Sequence, residues 1–328
     1  MSWLFSTATE LLDRVSETGL ALPDYLVARE AFYSSSTAEA VRAEVARRIR
    51  ITRQSLDSGL AKPQRSFSGL TDGAAARLVA ANGSAGGDAD TRAVVDPLFR
   101  LALTYALAVN EVNACGGKIV AFPTAGSSGV VPGVLWAYRD SRRPDLDADS
   151  RLFQDAYLVA SAVGMVIATR ATIAGASGGC QAECGTAAAM ASAGLLWLLG
   201  KGSEDCLEGA ALSLKNCLGL ACDPVAGLVE VPCVKRNAFM AANSLTAVTL
   251  VEAGVRSAIP FDEVVGAMKA IGDSMPAVLR ESAGGGLALT PTGLAYKERL
   301  GAASDRASKK ALEPSGRNEP PRPSELPE

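Results

Sequence analysis

Three of the seven cysteines fall where glycine and proline interrupt the chain. Cys180 follows Gly178-Gly179, Cys222 precedes Asp223-Pro224, and Cys233 follows Val231-Pro232. Cys180 and Cys233 each open a helical pattern, where the positive helix end favours the thiolate, the form that binds metal. Loop thiols able to converge suit an iron–sulfur cluster, because backbone amides there can reach the sulfurs as well. Zinc is the competing metal, but a closed zinc site takes four ligands and the chain has no histidine to complete one. A cluster held by three thiolates leaves one iron with an open position, able to act as a Lewis acid on a substrate oxygen. Cys115, Cys184, Cys206 and Cys217 lie within or at the ends of helical runs and read as buried packing residues.

A second segment, Pro123-Thr124-Ala125-Gly126-Ser127-Ser128-Gly129, places small hydroxyl residues between glycines just before a helical pattern. Exposed N–H groups in such a loop make a seat for a carboxylate or another anion, and a tight turn is the plainer alternative. Glu111 and Asn113 read equally well as supporting groups near this site or as a polar helix end.

Composition limits the chemistry. The 328 residues include no histidine, which removes the commonest general base, the Ser-His-Asp triad and every histidine metal site. Proton transfer therefore falls to another side chain, a cofactor or a partner chain. With 32 basic and 35 acidic residues, the net charge of −3 argues against a nucleic-acid or membrane-surface role. The longest apolar runs, 158–169 and 186–199, fall short of a membrane span. Residues 1–7 are neither basic nor followed by a long apolar stretch, so a cytoplasmic location with reduced thiols is expected.

The elements that must position these residues read as helices. Charged amphipathic helices fill 1–60. A turn-rich loop runs from 61 to about 91. Asp96-Pro97 then opens a helix over 98–114 that stops before Gly116. Residues 118–122 are the one candidate strand. Helical patterns follow over 152–174, 181–199, 203–218, 234–254 and 261–279. Ala-rich, aromatic-poor helices of this kind pack closely, so the expected fold is all-α. It comprises an N-terminal helical segment (1–60), a catalytic domain (61–300) and a disordered Ser/Lys/Pro-rich tail (301–328).

At these residues the chain resembles the alpha subunit of the bacterial iron–sulfur-dependent L-serine dehydratases. The likeness runs through SGLTDG (68–73), NEVNA (110–114), IVAFPTAGSSGVVPGVL (119–135), GASGGCQAECG (175–185), LKNCLGLACDPVAGLVEVPCVKRNA (214–238), IPFDEV (259–264) and ESAGGGLALTPTG (281–293). It implies a predominantly helical catalytic domain in which Cys180, Cys222 and Cys233 hold a [4Fe-4S] cluster with one open iron. The implied reaction takes L-serine to pyruvate and ammonia without pyridoxal phosphate, the open iron acting on the substrate hydroxyl. Thr124, Ser127, Ser128, Gly129 and Asn237 would contact substrate, with donors near Ser127 and Ser128 steadying its carboxylate, and Lys235 is a candidate base. The domain that such relatives carry before this one, or on a separate chain, is expected to lie on another chain here. A beta subunit and a hetero-oligomer are therefore implied, and that subunit would supply the histidines. The last cysteine is Cys233, so no tail thiol is expected to occupy the open iron. A cysteine desulfidase-type iron–sulfur lyase and a non-catalytic iron or redox sensor are the competing readings.

Overall fold

The computed structural model describes residues 3–83 and 96–312. Among these the fold is all-α, without a strand; an isolated parallel bridge pairs Cys222 with Arg280. Four helices come first: α1 (Ala8–Thr18), α2 (Leu22–Tyr33), α3 (Ala38–Ala61) and α4 (Ala74–Gly83). Then follow α5 (Pro97–Ala114), α6 (Val130–Arg142), α7 (Arg151–Arg170), α8 (Thr186–Leu198) and α9 (Ser203–Lys215). The last three are α10 (Cys233–Glu252), α11 (Phe261–Ser274) and α12 (Pro291–Leu312).

At the centre lies α8, buried continuously from Thr186 to Leu196, with α6, α7, α9 and α10 packed round it. Its alanines and glycine let neighbours come close: a Cβ at Gly194 would sit 2.9 Å from the Ala156 carbonyl oxygen on α7. The same device joins α5 to α6, where Cβ atoms at Gly129 and Gly133 would meet the Ala106 backbone at 2.1 and 2.7 Å. Few aromatic residues are present, and they are concentrated. Trp136, Phe153 and Tyr157 stack edge-on at 4.9 and 5.6 Å, and Phe122 joins Tyr157 at 5.7 Å. Trp136 Nε1 donates to Thr52 Oγ1 at 2.9 Å, so this nest binds α3, α6 and α7 to the start of the 123–129 loop. Beside it Asp140 accepts from Arg53 (2.7 Å), Arg139 (2.9 Å) and Tyr105 (3.0 Å), tying α3 and α5 to α6.

The N-terminal helices are part of this body. Asp262, in the first turn of α11, accepts from the backbone N–H groups of Ala8 and Thr9 at 2.8 and 3.0 Å, satisfying donors that the start of α1 leaves free. Helix α7 has the length and apolar character of a membrane-crossing segment, but 61% of that window is buried inside the fold, which accounts for its apolarity.

Several boundaries differ from the sequence expectation. Residues 118–122 form no strand: the Lys118 carbonyl accepts from Ser55 Oγ at 2.6 Å rather than from a neighbouring strand. The 61–91 loop contains α4, and its residues 84–91 lie outside the described residues. The helix expected over 261–279 stops at Ser274, because Met275 precedes a proline and is driven to extended backbone. Helix α12 continues through 301, where the disordered tail was expected to begin, to Leu312; residues 313–328 lie outside the described residues.

Candidate active site

Three chain segments carry the loop cysteines. After α7 the chain makes one helical turn at Gly175–Gly178, and Gly179 takes φ +74°, a left-handed backbone suited to glycine. A Cβ there would also lie 2.9 Å from the Leu220 carbonyl oxygen. Cys180 then leads into a π-helical turn, Gln181–Gly185, that runs on into α8. Gln181 is fully buried: its side chain accepts from Gly219 N–H (2.9 Å) and donates to the Met268 carbonyl (3.0 Å). Cys222 is held by the parallel bridge, its N–H donating to the Leu279 carbonyl at 2.8 Å while its own carbonyl accepts from Glu281 N–H at 2.7 Å. Cys233 is the first residue of α10.

Cys180, Cys184 and Cys222 form one buried contact group, with Leu220 and Met240 packed against it. Exposures are 1% for Cys180, 2% for Cys184 and Cys222, and 7% for Cys233, so water is kept from all four sulfurs. Arg236, one turn into α10, brings the compensating charge. Its guanidinium donates to the Ala221 carbonyl at 2.9 Å, lies 3.7 Å from Asp223 Oδ1 and sets its charge beside Cys180. A hydrogen bond with Cys184 and the nearby Arg236 charge together hold the Cys180 thiol below its ordinary pKa despite burial. Burial pushes Cys233 up to about 12 even though it starts a helix, and raises Cys222 further. The lowering at Cys180 thus comes from its neighbours rather than from helix position, and at Cys233 burial dominates.

Two carboxylates border the thiols. Glu183 Oε1 accepts from Thr124 Oγ1 at 2.9 Å, and Glu183 Oε2 lies 3.8 Å from Cys222 Sγ. Ligand atoms of Glu183, Cys222 and Glu281 all fall within 4.8 Å of one another. Burial raises the Glu183 pKa, and the Glu281 charge adds to the rise. Gly175 makes room for this cluster, since a Cβ there would stand 2.5 Å from Glu183 Oε2 and 3.2 Å from Cys222 Sγ.

The side chains of the 123–129 loop are engaged within the fold. Ser127 and Ser128 are completely buried. Ser127 Oγ donates to the Phe122 carbonyl at 2.9 Å, Ser128 Oγ accepts from Asn110 Nδ2 at 3.3 Å, and Gly129 N–H donates to Asn237 Oδ1 at 3.0 Å. Asn237 Nδ2 returns to the carbonyls of Gly126 (2.8 Å) and Cys233 (2.9 Å). These hydrogen bonds lock the loop to α5 and α10 and hold Ser127, Ser128, Gly129 and Asn237 in place. Of the expected contact residues, Thr124 reaches the thiol site through Glu183, and Asn237 through the Cys233 carbonyl. Lys235 is exposed on α10, and its charge is felt at Asp72, whose pKa is lowered chiefly by a hydrogen bond from Arg77.

A family profile described as the serine dehydratase alpha chain matches residues 17–288, most of the chain. The chain belongs to the serine dehydratase alpha chain family. It is 41% identical to the probable L-serine dehydratase alpha chain of Bacillus subtilis over 90% of its own length and 95% of that protein. With the L-serine dehydratase alpha chain of Peptoniphilus asaccharolyticus it shares 39% identity over 88% and 96% of the two lengths. The L-serine dehydratase of Streptomyces coelicolor is 34% identical over 88% of this chain, but only 62% of that longer protein is covered.

In this serine dehydratase alpha chain, sequence reasoning passed over four groups at the site. Cys184 was read as a packing residue and lies among the candidate ligands. Glu183 and Glu281 carried no motif of their own, although Glu183 stands three residues after Cys180. Glu230, three residues before Cys233, is 7% exposed and accepts from the hydroxyls of Ser66 (2.6 Å), Ser68 (2.7 Å) and Thr71 (2.7 Å). It thereby fastens the SGLTDG loop to the Cys233 segment. Glu111 is also structural: it accepts from Ala74 N–H at 2.6 Å and caps α4. Cys206 and Cys217 do pack, as expected. Burial lifts both to about 12, and Cys217 Sγ donates to the Ser213 carbonyl at 3.5 Å.

Proposed function

We propose that this alpha chain carries the cluster-binding half of an L-serine dehydratase, with Cys180, Cys222 and Cys233 as ligands of a [4Fe-4S] cluster. The observation that carries the proposal is the buried contact group holding Cys180 and Cys222, with Cys233 buried one helical turn before the Arg236 that offsets their charge. The donor set fits the group. The sulfurs come from separate segments, Gly175 lets Glu183 and Cys222 approach the backbone closely, and Arg236 offsets thiolate charge. When bound, the cluster supplies a Lewis-acidic iron for departure of the substrate hydroxyl.

The protein's own groups set the surroundings of that chemistry. Thr124 donates to Glu183 and fixes its carboxyl at the edge of the thiol pocket, where Oε2 faces Cys222. Ser127, Ser128, Gly129 and Asn237 hold Thr124 in place from behind through the loop hydrogen bonds. Removal of the substrate α-proton falls to a partner subunit, because Lys235 is exposed near Asp72 and the serine hydroxyls are already engaged. The alpha-chain name shared with relatives and the greater length of the Streptomyces protein both support a hetero-oligomer with a beta subunit, placed in the reducing cytoplasm.

Anaerobic reconstitution with iron and sulfide tests the ligand set. Cys180→Ala, Cys222→Ala and Cys233→Ala each lose the visible sulfur-to-iron charge-transfer absorbance, while Cys206→Ala keeps it. Loss in Cys206→Ala with retention in Cys222→Ala would refute the assignment.

A further inference from the structure

We infer that Glu230 is the positioning residue for Cys233, holding the entry to α10 against the 66–71 loop so that this ligand keeps its place. This rests on the proposal that Cys180, Cys222 and Cys233 hold the cluster. The other two ligand segments have anchors of their own: Gln181 beside Cys180, and the parallel bridge at Cys222. Cys233 leaves the turns of 225–232 as the first residue of α10. Glu230 is built into that start. Its carbonyl accepts from Val234 N–H at 2.9 Å, closing the first turn around Cys233, and its N–H donates to the Leu228 carbonyl at 2.7 Å.

The side chain reaches a loop 159 to 164 residues away in sequence. Oε2 accepts from Ser66 and Thr71 at 2.6 and 2.7 Å, and Oε1 accepts from Ser68 at 2.7 Å. One buried carboxylate thus takes three hydroxyl protons in short, charge-assisted bonds. Two of those hydroxyls are themselves oriented, since Ser66 Oγ accepts from Thr71 N–H at 3.2 Å and Ser68 Oγ from Leu70 N–H at 2.9 Å. Arg299 Nη2 on α12 donates to the Ser68 carbonyl at 3.3 Å and braces the loop against a further helix. Phe67 shows what orients the loop. With Ser66 and Ser68 both turned in to Glu230, the ring between them is turned out and is 91% exposed. A loop ordered by apolar burial would hide that ring. The carboxylate sets the loop, and it stands three residues before a ligand. Groups that orient metal ligands govern how firmly the metal is held.

The test uses the full chain, reconstituted anaerobically with iron and sulfide, in wild-type, Glu230→Gln, Thr71→Val, Thr71→Ser and Asp140→Asn forms. Two quantities are read: the half-life of the visible absorbance against an iron chelator, and the melting temperature of each cluster-free form. A glutamine amide nitrogen donates and cannot accept, so Glu230→Gln cannot serve all three hydroxyls. Its half-life should be about tenfold shorter, the lower end of what losing such a supporting partner costs. Thr71→Val keeps the shape of the side chain and removes one donor while Glu230 stays, and should shorten the half-life too. Thr71→Ser keeps the hydroxyl and should stay near wild type. Asp140→Asn weakens the fold at α6 and should lower the melting temperature without shortening the half-life.

A wild-type half-life for Glu230→Gln or for Thr71→Val would overturn the inference. So would a Thr71→Ser form that falls as far as Thr71→Val, since the hydroxyl would then not be what acts. An Asp140→Asn half-life as short as that of Glu230→Gln would overturn it as well, because general stability would then set retention. If Glu230→Gln fails to fold, the two Thr71 variants decide. If the wild type itself takes up no cluster, the ligand assignment fails and this inference fails with it.

Discussion

Asp140 shows how single side chains hold the helices that carry the site. Burial alone would raise its pKa, but hydrogen bonds from Arg139, Arg53 and Tyr105 outweigh that and hold the carboxyl below the usual range. A carboxylate with a depressed folded pKa stabilises the fold above its unfolded value of about 3.9, and that contribution is lost as pH falls through the folded value. Asp140→Asn should therefore cost about 2 kcal/mol in urea unfolding at pH 7. The gap from wild type should shrink in acid as the wild-type carboxyl becomes protonated. An equal gap at pH 7 and at pH 3 would show that the charge of Asp140 is not what matters. The same scale explains what could not be read in advance. Cys180, Cys222 and Cys233 stand out because Gly and Pro surround them, whereas Glu230 and Glu183 lie in apolar or Ala-rich surroundings. Their partners are 59 to 164 residues distant in sequence, and nothing local marks such pairs.

Helix contacts at single glycines position the loop. Gly129 ends the 123–129 loop and touches the Ala106 carbonyl of α5, with Asn237 of α10 on its N–H. Gly129→Ala should lose about 3 kcal/mol of stability, the upper range for overpacking. Gly116→Ala, at φ +74° in open space, should lose only about 1 kcal/mol, the cost of a left-handed backbone. Equal losses in chemical denaturation would remove the close α5–α6 approach as the explanation. Element boundaries were legible where a cap encodes them. Asp96 caps α5, its side chain accepting from Leu98 N–H at 2.8 Å, and Pro97 is the first helical residue, as the Asp-Pro pair predicts. The π-helical turn was not legible, because an i to i+5 closure inside an Ala-rich run leaves the hydrophobic period almost unchanged. Nor was the irregular course of 118–122, whose β-branched residues suit a strand but find no strand to pair with.

For the whole molecule, a histidine-free composition and buried loop thiols are what the proposed division of the catalyst between two chains requires. The all-α body seals the sulfurs and presents Glu183 and Glu281 at their edge, yet it leaves Lys235 exposed on α10 and the loop hydroxyls engaged. Under the proposed function, chemistry at the substrate α-carbon falls to a second subunit. The central claim is that the thiol site of this chain supports the dehydration of L-serine, and pyruvate formation measures it most directly. The reconstituted chain, combined anaerobically with a beta subunit, is assayed on L-serine and on L-cysteine beside the Cys222→Ala variant. The account predicts pyruvate from L-serine in preference to L-cysteine, dependent on both chains and abolished by Cys222→Ala. Equal turnover by Cys222→Ala, or a preference for L-cysteine, would contradict it.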